Sequence, residues 1–131
     1  MANNDLIHAS VSELSGLLDA KKLSPVELTQ AYLNRISSLN ERLHAFITID
    51  ADGALAAAKA AESAIANGKR LGPLHGIPMA VKDQINAKGL PTTGGSSILK
   101  DVAIADATVV SRLRESGIVL LGKLNLSEFA L

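Results

Sequence analysis

Gly72-Pro73-Leu74-His75-Gly76-Ile77-Pro78-Met79-Ala80-Val81-Lys82-Asp83 is the stretch on which the reading of this chain turns. Each proline fixes its own φ and pushes the preceding residue toward an extended conformation, so Gly72-Pro73 and Ile77-Pro78 are stiff, non-helical joints. Met79-Ala80-Val81 is too short for a buried helix and reads as a buried strand entered through Pro78. Lys82 then sits at the inner end of an apolar strand, where it is expected to be largely buried. Burial disfavours an ammonium, and a lysine held neutral can act as a base. The plainer alternative is that Lys82 leaves the strand and carries its amine to water. On this stretch alone the plainer alternative is the better one.

Downstream, Ile118-Val119-Leu120-Leu121 places four apolar residues between Gly117 and Gly122 and reads as a second buried strand. Between the two strands, Asp106 is an N-cap candidate for a helix that turns Val109, Val110 and Leu113 inward and ends at Gly117. Strand, loop, helix, strand is the form of a βαβ crossover, which favours a parallel pair in an α/β sheet. In such sheets functional groups collect beyond the carboxyl ends of the strands, and Lys82 and Lys123 both occupy that end. Asp83 reads as a local hydrogen-bond or charge partner holding the loop after Lys82. Gly94-Gly95-Ser96-Ser97 lacks the Lys-Ser/Thr ending of a phosphate-binding loop, and its default is a plain surface loop.

Upstream lie helices. Val11, Leu14, Leu17 and Leu18 share one face of a segment from about Val11 to Ala20, with Lys21 and Lys22 beyond its end. Ser24-Pro25-Val26-Glu27 opens a second helix: Ser24 is the N-cap candidate, and Glu27 is placed to close a capping box. Leu28, Tyr32, Ile36 and Leu39 then recur at helical spacing to about Asn40. Phe46-Ile47-Thr48-Ile49 has strand-like composition but little length. Asp52 to Ala66 is alanine-rich, a strong helix former stopped by Asn67-Gly68.

The whole chain, 131 residues with 47% hydrophobic content, suits one core, and 2% aromatic content makes that core Leu, Ile, Val and Ala. Thirteen basic and thirteen acidic residues balance, which leaves no electrostatic case for nucleic acid or an anionic membrane. The absence of cysteine excludes disulfides, thiol catalysis and thiolate metal sites. His8, His44 and His75 show no metal-ligand spacing, and neither a metal nor a cofactor is expected. No signal-peptide pattern opens the chain, so a cytoplasmic location is the default expectation.

Gly76-Ile77-Pro78-Met79-Ala80-Val81-Lys82-Asp83 resembles the first signature of the amidase signature family. Gly89-Leu90-Pro91-Thr92-Thr93, Asp106-Ala107-Thr108-Val109-Val110 and Gly122-Lys123-Leu124-Asn125-Leu126-Ser127-Glu128-Phe129-Ala130 resemble its next blocks, in order and at similar spacing. The resemblance implies an α/β fold, a mixed sheet covered by helices, of which residues 1–131 form the N-terminal part. Within it, residues 1–70 would be a helical N-terminal portion and 71–131 the start of the α/β core. It also implies that Lys82 is the catalytic lysine of a Ser–cis-Ser–Lys triad, and that Phe129 and Ala130 contact substrate. Ser96 and Ser97 match an earlier loop of the family rather than its cis-serine motif, and Lys123 is a motif residue whose role stays open.

The implied activity is hydrolysis of a carbon–nitrogen amide bond. No stretch of these 131 residues matches the motifs of the two triad serines, so the chain alone is expected to be inactive. Two other readings stand beside this one: the A-type subunit of a tRNA-dependent amidotransferase, and a split or assembly module without catalysis of its own. The implied partners are a small-molecule amide substrate, a C-terminal half of the domain, or amidotransferase subunits. An isolated chain is further expected to be marginal in stability, with apolar surface left beside Lys82 and Ile118–Leu121.

Overall fold

The computed structural model describes residues 6–131. Helix α1 spans Val11–Asp19, α2 Pro25–Leu43, α3 Ala51–Ala66 and α4 Thr108–Glu115; strand β1 spans Phe46–Ile49, β2 Pro78–Lys82 and β3 Val119–Leu124; a 3₁₀ turn follows at Glu128–Ala130. The three strands form one mixed sheet in the order β1-β3-β2. β2 and β3 run parallel, joined through α4 as the crossover expected from the sequence, and β1 adds antiparallel to the far side of β3.

Side-chain alternation on β3 explains its unbroken apolar run. Val119 and Leu121 pack with Leu33 of α2 and with Ala54 and Ala58 of α3. Ile118 and Leu120 pack on the opposite face with Val81, Ala87 and Val110 of α4. A strand covered by helices on both faces needs no polar side. Alanine on α3 lets that helix lie close against β3. A third cluster joins Leu14 and Leu18 of α1 to Leu28 and Ile77, tying the first two helices to the entrance of β2.

Gly122 lets β1 and β3 approach this closely. Its φ is +148°, and a Cβ added there would lie 2.1 Å from the Thr48 carbonyl oxygen of β1. The backbones of β1 and β3 meet at that point, beside irregularities of register in both strand pairs.

Several local expectations are revised. Helix α2 runs on to Leu43 and stops at His44, which is left-handed at φ 49° and donates its N–H to the Asn40 carbonyl. The Asn40 side chain instead donates to the Phe46 carbonyl at 3.1 Å and accepts the Phe46 N–H at 2.8 Å, at the start of β1. Ser24 caps α2 through the N–H groups of Val26 and Glu27, but its hydroxyl donates to Glu62 of α3, and the capping box forms instead at Ser10 and Glu13 of α1. Asp106 does not cap α4. Ala107 holds that position, while Asp106 accepts the Lys88 N–H at 2.6 Å and pairs with Arg114 at 3.5 Å. Ile118–Leu121 themselves add nothing to the apolar surface, since β3 is the central strand and all four residues are buried. Among the described residues only β2 and β1 are edge strands.

Candidate active site

Lys82 ends β2, opposite Leu124 of β3, at the carboxyl edge of the parallel pair. It is exposed, not buried as expected, and the cause is strand alternation. Val81 and Asp83, its neighbours on either side, both turn inward, which turns Lys82 out. Among the described residues its ammonium has no salt-bridge partner.

The lysine that is buried is Lys123, and its side chain is wholly shielded from solvent. Its Nζ donates to the Pro91 carbonyl at 2.8 Å and to Thr92 Oγ1 at 3.0 Å, and it lies 3.1 Å from Oδ1 of Asp83. Asp83 is equally buried. Its Oδ2 accepts both the Thr93 N–H, at 3.1 Å, and the Thr93 hydroxyl. Among the described residues Lys123 is the sole polar partner of Oδ1, so the ion pair alone compensates that oxygen. Asp83 therefore does serve as a hydrogen-bond and charge partner for the loop. The sequence hid the identity of its cation, because Lys82 and Lys123 follow apolar runs of the same kind.

The backbone completes the clamp. Asp83 N–H donates to the Leu124 carbonyl at 2.9 Å, and Gly94 N–H to the Asp83 carbonyl at 3.1 Å. The Gly94–Ser97 segment is consequently no plain surface loop. Ser96 is buried and donates its hydroxyl to Glu128 Oε1 at 2.6 Å, while Phe129 N–H donates to the Gly94 carbonyl at 2.7 Å. Phe129 and Ala130 take left-handed φ values of 54° and 65°, and the Phe129 ring lies against Gly94 with about half its surface exposed. Lys82, the 93–96 loop and the 126–130 turn thus share one edge of the sheet. Among the described residues no group of three or more His, Asp or Glu side chains is placed to hold a metal ion.

His75 lies at the other end of the parallel pair, before β2 and beside Gly117. Its ring is buried, its Nδ1 accepts the Leu71 N–H at 3.0 Å, and burial first, then the Arg70 charge, holds its pKa below the usual 6.5. Arg70 is itself anchored by Asp19 at 2.9 Å and Ser15 at 2.8 Å.

A parallel βαβ unit with helices on both faces and a lysine at its carboxyl edge defines an α/β protein with its polar groups gathered at the strand ends. The sequence pattern of the Amidase family matches residues 27–131, and the chain belongs to that family. It is 47% identical over 129 residues to the A subunit of the glutamyl-tRNA(Gln) amidotransferase of Acidothermus cellulolyticus, covering 98% of this chain and 26% of that protein. It is 54% identical over 127 residues to the protein of the same name from Azoarcus sp., covering 96% and 26%. The native peptide amidase of Stenotrophomonas maltophilia superposes with a TM-score of 0.88 at 43% identity, over 92% of this chain and 25% of that one. The chain thus spans about a quarter of the length of the relatives it matches. No helix among the described residues is long and apolar enough to cross a membrane.

Proposed function

We propose that this chain supplies the lysine-bearing N-terminal part of an amidase domain, residues 1–70 as its helical portion and 71–131 as the start of its core, acting on an amide C–N bond. The observation that carries this reading is the position of Lys82, exposed at the carboxyl edge of the parallel β2–β3 pair within the family's first signature. In the proposed reaction the unprotonated amine of Lys82 takes a proton from a cis-serine, which takes one from a nucleophilic serine. The serine oxygen bonds to the amide carbonyl, the C–N bond breaks, and the returned proton leaves with the amine. Water then releases the acid and regenerates the serine. Both serines come from outside these 131 residues, so the chain alone is expected to turn over neither amides nor esters. Phe129 and Ala130, held against the 93–96 loop, are proposed to line the substrate side of this edge.

The identities to amidotransferase A subunits favour a second reading, in which the same chemistry releases ammonia for transamidation inside a multi-subunit assembly. The test is a chimera in which this chain replaces the matching quarter of the S. maltophilia peptide amidase. Hydrolysis of a peptide amide that falls by about a thousandfold or more in Lys82→Ala supports the catalytic assignment. Undiminished hydrolysis in Lys82→Ala overturns it.

A further inference from the structure

The catalytic reading makes no use of the Asp83–Lys123 pair. We propose that this buried pair is a positioning device for Lys82: it clamps the end of β2 to β3 and to the 91–96 loop, and it neutralises the carboxylate next to Lys82 in the chain. The proposal rests on the assignment of Lys82 as the working lysine.

Two opposite charges taken fully out of water are a poor way to gain stability. Apolar replacements of similar volume are often neutral or better, so an ion pair kept in such a place calls for another use. The geometry here supplies one. Asp83 is covalently joined to Lys82, and its main-chain and side-chain bonds together reach Leu124, Thr93, Gly94 and Lys123. Lys123 in turn reaches Pro91 and Thr92. The bonds that stop the β2 terminus from pivoting therefore converge on these two residues. A pivot there swings the long Lys82 side chain, and a misplacement of about 1 Å in a reacting group costs about a hundredfold in rate.

Charge makes the same point. Nearby opposite charge favours the ammonium form of a lysine, and nearby like charge disfavours it. With the pair intact, the Asp83 carboxylate is matched by the Lys123 ammonium at 3.1 Å. Removal of one member leaves the other uncompensated and nearby.

Two measurements test this. In the 131-residue chain, the pH dependence of acylation at Lys82 is followed by peptide mapping with an amine-directed reagent. Lys123→Met is expected to move the Lys82 profile to higher pH and Asp83→Asn to lower pH, each by about half a pH unit. The double variant Asp83→Asn/Lys123→Met is expected to return it. In the peptide-amidase chimera, that double variant is expected to stay folded, by its melting midpoint, yet lose kcat by about tenfold or more with KM within about twofold. A purely structural pair predicts otherwise: folded single variants with an unmoved Lys82 profile, or a folded double variant with full kcat, overturn the proposal. If a single variant does not fold, the double variant's kcat decides. Acylation does not require Lys82 to be catalytic. If Lys82→Ala leaves the chimera active while the profiles shift, the catalytic reading fails and the electrostatic link stands.

Discussion

Nδ1 of His75 accepts the backbone N–H of Leu71 at 3.0 Å, so the buried imidazole is bonded in a way open only to its unprotonated nitrogen. Burial and then the Arg70 charge hold its pKa below 6.5, so between the folded and unfolded pKa values the unfolded chain binds more protons. Stability then rises with pH. The contribution is fully present above the unfolded value of about 6.5 and is lost as pH falls through the folded value. Urea midpoints at about pH 7.5 and about pH 5.5 are expected to differ in favour of the higher pH, and His75→Gln is expected to shrink that difference. An unchanged difference in His75→Gln assigns the pH dependence to other groups.

Gly122→Ala is expected to detach β1. The added carbon would meet the Thr48 carbonyl oxygen at 2.1 Å, and that atom belongs to backbone, which cannot swing aside. Strain and overpacking together place the loss at about 3 kcal/mol or more. Denaturation in urea measures it, and amide exchange at Phe46–Ile49 is expected to accelerate beyond that of β2. Equal acceleration everywhere would mean that β1 is not a separable edge.

Ser96 is expected to be structural. Its hydroxyl is committed to Glu128 at 2.6 Å and, with the Phe129–Gly94 bond, fastens the last turn to the loop. A hydrogen bond to a charged group contributes about 1.5–3 kcal/mol, so Ser96→Ala is expected to lower stability by that order. A serine-directed fluorophosphonate is expected to leave the chain unlabelled. An adduct at Ser96 would make it a nucleophile.

β2 pairs only with β3, and its outer edge carries no strand among the described residues. Open edges template pairing with other chains. The isolated chain is expected to self-associate with rising concentration in sizing experiments and to melt broadly. A monodisperse monomer with one sharp transition would sink this expectation.

The elements were largely legible because their signals are local. Prolines at 73 and 78, the apolar runs before Lys82 and Lys123, and the alanine segment each dictate a conformation from a few neighbouring residues, and strand–helix–strand order dictates a parallel pair. The placement of Lys82 at a strand terminus followed from the same signals. Ser10 was missed as a cap although Glu13 stands three residues on, the spacing that signals a capping box.

What only the tertiary structure decided is which groups meet across distance. Phe46 pairs with Leu124, and Ser96 finds Glu128, across long stretches of chain that leave no mark on local sequence. The fate of the two lysines is the sharpest case. Each ends an apolar run, and neither run says which amine reaches water. Alternation turns Lys82 out because its neighbours Val81 and Asp83 are drawn in, while Lys123 stays buried because folding brings it the Asp83 carboxylate, the Pro91 carbonyl and the Thr92 hydroxyl. A buried ammonium is tolerable only where such partners converge, and convergence is a property of the folded chain rather than of any stretch within it.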